Sequence, residues 1–480
     1  MDAPLPAPTL PAYDRNSLTP GIVHIGLGNF HRAHMAVYLD DLFALGESRD
    51  WAILGAGVRA PDAAMRQAMK AQECLSTIIT LDPAGKSARR VGAMIDFLPV
   101  EADNKSLIAA MTRPEIRIVS LTVTEGGYFI NPATGQFDPT DPAIVADARD
   151  PKATAFGAIV AALRARRAAN IPPFTVMSCD NLPGNGQVTQ AAVVGLARLS
   201  DPALADWIAA HVAFPNGMVD RITPATGPRE RALAERFGLA DPVPVTCEPF
   251  RQWVLEDNFP QGRPALEKVG VTFTPHVHAY EMMKIRILNG GHATIAYPGG
   301  LMGVEYVHQA MAHPLILGFL NKVETEEIIP YVPPVPDTVI PDYYKLIVQR
   351  FSNPEIADTE RRLCLDGSNR QPKFIVPSIR DALAAGGSIT GLALVSALWC
   401  RYCAGTQDDG TEIPPNDPNW DMLQPLALSA RVNPQLWLDG LRTVYGEVAD
   451  DTRFAAAFGN ALRQLWDQGT AATLTTYING

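Results

Sequence analysis

Gly21-Ile22-Val23-His24-Ile25-Gly26-Leu27-Gly28-Asn29-Phe30-His31 carries a short β-prone run into a G-x-G turn, and apolar residues at helical spacing follow through Ala36, Leu39 and Phe43. A strand, a glycine turn and a helix in this order open a dinucleotide site. The first glycine permits the tight turn, the second lets backbone approach a pyrophosphate, and the helix N-terminus offers unpaired N–H groups. Gly26, Gly28, Asn29 and Phe30 are therefore candidate cofactor contacts. His31 stands where the fingerprint has its third glycine, so the motif is incomplete and needs support from elsewhere. Trp51-Ala52-Ile53-Leu54-Gly55-Ala56-Gly57-Val58-Arg59 supplies it, reading as the second strand of the same unit with Asp62 after it. A carboxylate there accepts from an adenosine ribose hydroxyl and favours NAD, whereas Arg59 would attract a 2′-phosphate; the balance leans to NAD.

Outward from this unit the texture changes once. Up to about residue 275, runs such as Ile116 to Val123 and Phe174 to Cys179 alternate with helical stretches such as Ala155 to Arg167. Alternation of this kind implies parallel strands joined by helices. Beyond residue 280 the spacing is helical, in His308 to Val323, Ile379 to Ala385, Ser388 to Tyr402 and Phe454 to Trp466. The expected class is α/β: a Rossmann-type parallel-sheet domain over 1–275, followed by a mainly α-helical domain over 276–480. The proline-dense Pro330 to Pro336 is then a loop inside the second domain.

With 480 residues, 47% of them hydrophobic, the chain buries substantial cores in two domains or three. A net charge of −11 and no long basic run argue against nucleic acid and anionic membranes as partners. Met1-Asp2-Ala3-Pro4-Leu5-Pro6-Ala7-Pro8 lacks the basic start and apolar core of a signal peptide, and no apolar run long enough to span a bilayer occurs later, so a soluble cytoplasmic protein is expected. Six cysteines in this length do not make a disulfide framework. Cys400-Arg401-Tyr402-Cys403 follows an apolar stretch and reads as helix packing in preference to a metal site. His276 and His278, which on a strand would point to one side, lack a third ligand nearby, and no metal is assigned.

Lys284-Ile285-Arg286-Ile287-Leu288-Asn289-Gly290-Gly291-His292 places an amine, a carboxamide and an imidazole in apolar surroundings. On an α-helix Asn289 and His292 stand roughly 140° and 80° around from Lys284, so the three share one broad side. A free lysine titrates near about 10.4, and burial beside Met282, Met283, Ile285 and Ile287 would push it down toward the range of a working base. The competing reading is a surface lysine at a helix start.

Ligands of such sheets bind at the carboxyl ends of the strands, so the turns there matter. Thr124-Glu125-Gly126-Gly127-Tyr128 follows one strand and makes Glu125 a cofactor-side candidate; Ser178-Cys179-Asp180-Asn181 follows another. Asn181 either donates to a developing alkoxide or belongs to an Asp-Asn turn that caps the next helix. Phe214 to Pro224 reads as a loop, in which Asp220 and Arg221 form a structural pair or serve the site.

Gly26 to His34, Thr124 to Tyr128, Ser178 to Asn181, Met218-Val219-Asp220-Arg221-Ile222 and Lys284…Asn289…His292, in this order, together resemble the polyol-specific long-chain dehydrogenases. The likeness runs from about residue 18 to the end and includes Asp366 to Phe374. It implies a zinc-independent, NAD-linked enzyme that interconverts D-mannitol and D-fructose, with D-arabinitol and sorbitol as related substrates, acting as a monomer or small homo-oligomer. It further implies Lys284 as general base, Asn181 and Asn289 as alkoxide donors, His292 as substrate orienter and Glu281 as a proton conductor. Asp220, Arg362, Arg370 and Lys373 fall on the polyol side.

Three other readings stay open at the level of sequence. Tyr280-Glu281-Met282-Met283-Lys284 has the Tyr-x-x-x-Lys spacing of short-chain dehydrogenases, in which the tyrosine is the base. A fructuronate or tagaturonate reductase of the same family would need an added cation, which Arg362 to Lys373 would supply. A protein that senses NADH without turnover is the alternative of another class.

Overall fold

The computed structural model describes residues 5–131, 134–150 and 153–480; Met1 to Pro4 of the N-terminal stretch lie outside the described residues. The chain divides into two compact units, Met1–His278 and Ala279–Gly480.

Strands of the first unit are β1 (Pro20–Ile25), β2 (Ala52–Ala56), β3 (Ser76–Thr80), β4 (Ser87–Val91), β5 (Met94–Phe97), β6 (Ile118–Leu121), β7 (Thr175–Ser178), β8 (Gly217–Asp220), β9 (Val245–Cys247), β10 (Gln252–Leu255) and β11 (Thr272–Phe273). Five of them form a parallel sheet in the order β5-β2-β1-β6-β7, so the order reverses beside β1. Successive side chains of a strand point to opposite faces, and both faces of this sheet are covered. Val23 pairs with Leu54 and Val119, and Val119 with Val176, one rung of a core shared with Phe156 and Leu196. Ile22, Ile53, Ile118 and Met177 enter the opposite core with Met35, Leu39 and Trp253. Each such side chain, fully buried, contributes roughly 1.5–3 kcal/mol.

Phe214 to Pro224, expected as a loop, contains β8, whose Asp220 pairs antiparallel with Gln252 of β10. All four residues of β8 are buried, so the polar alternation that marks an exposed strand is missing. His276 and His278 are not on a strand: β11 ends at Phe273, Pro275 turns the chain, and both histidines are exposed at the start of the helix Val277–Met283.

The second unit is helical. His308 to Val323, expected as one helix, is two, Val307–Ala312 and Pro314–Lys322, because the residue before a proline is driven out of the helical region, and His313 sits at φ −84°, ψ 117°. Thr390–Cys403 is buried almost throughout, Cys400 and Cys403 included, and packs on Thr452–Asn479, which breaks at Gly469. Trp399 meets Trp437 edge-on at 4.9 Å in this core. Two segments, Lys284–Asn289 and Val323–Ile328, are π-helical. No helix among the described residues is long and apolar enough to cross a membrane.

Candidate functional site

In the first unit the glycine turn closes against β6. Gly26 has φ 95°, and a Cβ there would stand 2.1 Å from the Thr122 carbonyl oxygen, so only glycine fits. At Gly28, by contrast, a Cβ would meet no protein atom within 4 Å. The helix Asn29–Ala33 starts at this point, with Gly28 as its N-cap. The Asn29 carboxamide is engaged by Pro224, Thr226 and Arg32, so what it offers toward a phosphate is its backbone N–H. Phe30 stacks on His34, ring centroids 4.7 Å apart.

His31 explains the missing third glycine. That glycine ordinarily lets helix and strand approach closely; here the His31 ring stacks on His24 of β1 at 3.4 Å and fills the crossing. His24 in turn bridges Ser120 and Thr122, at 2.8 and 2.9 Å, and the Thr122 hydroxyl donates to the Gly26 carbonyl. Burial pushes the His24 imidazole down to about 3, so both rings are neutral.

Beside this turn, at the carboxyl ends of β1, β2 and β6, lies a cavity of about 210 Å³ lined by Gly26, Arg59, Asp62, Thr122, Val123 and Thr124. Asp62 opens the helix Asp62–Ala71 and accepts from the Arg59 N–H at 3.0 Å, with the Arg59 guanidinium 3.4 Å from its other oxygen. The two candidates for cofactor discrimination thus form one pair on one wall. Glu125 is exposed in the following turn.

Asn181 is exposed after β7, and it does not cap the next helix: Asn185–Ser200 has Gly184 as its N-cap. Its neighbour Asp180 accepts the N–H groups of Val123 and Thr124 at 2.9 and 3.0 Å and the Tyr128 hydroxyl at 2.7 Å. Burial raises the Asp180 carboxyl, against the pull of those three donors. Asp220 is buried at the end of β8, while Arg221 donates to the carbonyls of Ala33 and Glu248 and so is structural.

In the second unit Glu281 and Lys284 are buried and Asn289 is partly so. The expectation of a plain α-helix here is corrected: the Gly290 N–H reaches back five residues to the Ile285 carbonyl. An α-helix would set Asn289 about 140° from Lys284, but a turn closed by i→i+5 bonds brings residues five apart together. The regular helix resumes at Gly290–Leu301 and carries His292, whose ring stacks on Phe351 at 4.0 Å. His292 is held well below its ordinary value by burial, then by the charges of Arg362, Arg350 and Arg370.

Arg362 is paired with Asp358, and Arg370 donates to the carbonyls of Arg362 and Leu363, while Lys373 is exposed. Tyr280 donates its hydroxyl to the Pro336 carbonyl at 2.7 Å, which ties it to the proline loop. Arg350, buried beside His292, had no motif to flag it. Neither did Glu324, whose carboxyl is fully buried without a hydrogen-bond partner, 3.2 Å from where a Gly291 Cβ would stand. No group of three or more metal-binding side chains occurs among the described residues.

Comparison with known proteins gives one consistent picture. The profile described as the Mannitol dehydrogenase Rossmann domain matches residues 20–268, and that of the Mannitol dehydrogenase C-terminal domain matches 276–466. A mannitol 2-dehydrogenase of Cereibacter sphaeroides is 71% identical over 98% of both chains, and one of Phaeosphaeria nodorum is 42% identical over 98% of this chain and 83% of its own. Among solved structures, the Pseudomonas fluorescens mannitol 2-dehydrogenase ternary complex with NAD and D-mannitol superposes with a TM-score of 0.88 at 43% identity, covering 99% of this chain and 97% of that one. A substrate-free D-sorbitol dehydrogenase gives the same TM-score at 34% identity over 99% and 98%.

Proposed function

Because the chain belongs to the mannitol dehydrogenase family, we propose that it is an NAD-dependent polyol dehydrogenase that converts D-mannitol to D-fructose and back. The observation that supports this most is the π turn beginning at buried Lys284 and ending at Asn289. The glycine turn, the 210 Å³ cavity and the Asp62 carboxylate on its wall fit a dinucleotide. NAD, when bound, supplies the hydride acceptor.

Oxidising a secondary alcohol needs a base at the hydroxyl and donors where negative charge grows. Lys284 takes the hydroxyl proton in its neutral form and returns it to the ketone oxygen in the reverse direction. Asn289 and Asn181 donate to the developing alkoxide. A neutral His292 orients a substrate hydroxyl, its ring plane fixed by Phe351. Glu281, one helical turn before Lys284, passes the proton toward water. Asp220, Arg362, Arg370 and Lys373 belong to the polyol side.

The three guanidiniums around His292 make a sugar acid the second reading. Arg362 is engaged by Asp358 and Arg370 by backbone carbonyls, which favours the neutral polyol.

The test is a panel of mannitol, arabinitol and sorbitol, each with NAD and NADP, and of fructose and fructuronate, each with NADH and NADPH, on the wild type and on Lys284→Ala. Turnover of mannitol with NAD and of fructose with NADH is expected, and a loss of ~10³-fold or more in Lys284→Ala, about 4 kcal/mol of barrier, with NADH binding kept. Turnover confined to fructuronate transfers the assignment to the uronate reductases, and near-normal turnover in Lys284→Ala removes the lysine from its role.

A further inference from the structure

Asp180 is a buried carboxylate with a partner at every side. Both oxygens face the turn after β6, taking Val123 N–H, Thr124 N–H and the Tyr128 hydroxyl. The Tyr128 hydroxyl is also 2.5 Å from Ser178 Oγ, which accepts from the Asp180 N–H. Behind it, the Asp180 carbonyl receives the Leu182 N–H and the Asn185 carboxamide, and Asn185 is fixed to Gly217 in both directions. Asn181 therefore leaves from a residue with no freedom to shift.

Val123 and Thr124, on the other side of the carboxylate, line the cavity beside Gly26. Thr124 holds φ 65°, ψ 164°, a region that a β-branched residue rarely enters. Such a conformation persists only where its surroundings impose it, and two N–H bonds to one carboxylate are that imposition. Hydrogen bonds to an ionised acceptor are the strong kind.

We propose that Asp180 is a positioning residue that ties the cavity wall at Val123–Thr124 to the alkoxide donor Asn181, so that one carboxylate sets both cofactor affinity and the placement of the asparagine. This deepens the polyol dehydrogenase reading and rests on it for the role of Asn181.

The experiment measures NADH affinity by fluorescence and mannitol kcat and KM, on the full chain, for Asp180→Asn alone and combined with Thr124→Gly. An amide accepts at one atom only and turns N–H groups toward donors, so Asp180→Asn is expected to weaken NADH at least ~10-fold and lower kcat at least ~10-fold. Glycine takes the Thr124 backbone without strain, so Thr124→Gly in the Asp180→Asn background is expected to regain NADH affinity to within ~3-fold of the wild type. Affinity and kcat within twofold of the wild type in Asp180→Asn overturn the proposal, as does a loss that Thr124→Gly leaves untouched. NADH binding needs no turnover, so a chain inactive on every polyol would sink the functional reading while this arm still decides on Asp180. Should Asp180→Asn not fold, Tyr128→Phe removes one of the three contacts and is expected to weaken NADH ~3-fold; an unchanged affinity there overturns the proposal.

Discussion

Lys284 and Asn289 stand at the two ends of a single π-helical turn. The extra residue that such a turn accommodates makes a carboxamide the near neighbour of an amine five positions earlier. Both residues stand on one stretch of main chain, not across a flexible loop, so their relative placement is set by backbone hydrogen bonds. Rigid placement of this kind is what the proposed general base and alkoxide donor require of one another.

Asn289→Ala should lower kcat by roughly 10², the loss expected for one alkoxide donor if Asn289 has the role proposed for it. Asn289→Asp tests the adjacency itself. A carboxylate beside Lys284 favours the ammonium form, so the rise of kcat/KM with pH should move to higher pH by about one unit. A pH profile superposable on the wild type would separate the two residues.

Cofactor choice should follow the Arg59–Asp62 pair. Asp62 takes the Arg59 N–H and guanidinium and presents a negative wall to the cavity. Asp62→Ser removes that charge and leaves Arg59 to a 2′-phosphate. The ratio of kcat/KM with NADP to that with NAD is expected to rise ~10-fold or more, about 1.4 kcal/mol. An unmoved ratio would place discrimination elsewhere.

The sequence shows what is local. The run Ile22 to Ile25, the glycine turn and the switch to helical spacing after residue 280 depend on neighbours in the chain, and they locate the parallel sheet and the helical unit before any contact is known. Pairings at a distance leave no such trace. β8 is a strand because β10 lies beside it, and the donors to Asp180 lie 52 to 57 residues upstream. The π turn is hidden for another reason: Lys-Ile-Arg-Ile-Leu-Asn fits an α-helix as well, and only the N–H of Gly290 on the carbonyl of Ile285 distinguishes the two. Arg350 and Glu324 are charged residues, for which solvent is the default neighbour, and tertiary packing turns them inward.

Glu324 should make stability fall with rising pH. Burial without a partner raises its carboxyl well above 4.5, so the native state holds a proton that the unfolded chain gives up. Its contribution is complete below about 4.5 and is lost as pH climbs toward the native value. Glu324→Gln keeps the shape and cannot titrate. Its melting temperature should exceed that of the wild type at pH 8, with the gap closing toward pH 4.5; a gap constant across that range would mean that Glu324 titrates normally.

The stacked pair His24–His31 should act in the opposite sense, at the acid end. Burial drives both imidazoles down, His24 to about 3, and for His31 the nearby His24, Arg32 and His34 add to it. The unfolded chain therefore binds protons that the native state refuses, beginning near 6.5. Stability carried by the neutral rings is intact above that pH and falls as pH drops below it, for His24 toward about 3, by about 1.4 kcal/mol per pH unit for each group that remains neutral in the native state. His31→Phe retains an aromatic plane against His24 at the helix–strand crossing but binds no proton. Between pH 6.5 and 4 its melting temperature should decline less steeply than that of the wild type. NADH affinity should follow the same order, because His24 holds Thr122 and Thr122 holds the Gly26 carbonyl. Parallel melting curves for the two proteins would show that the stack is not where the protons go.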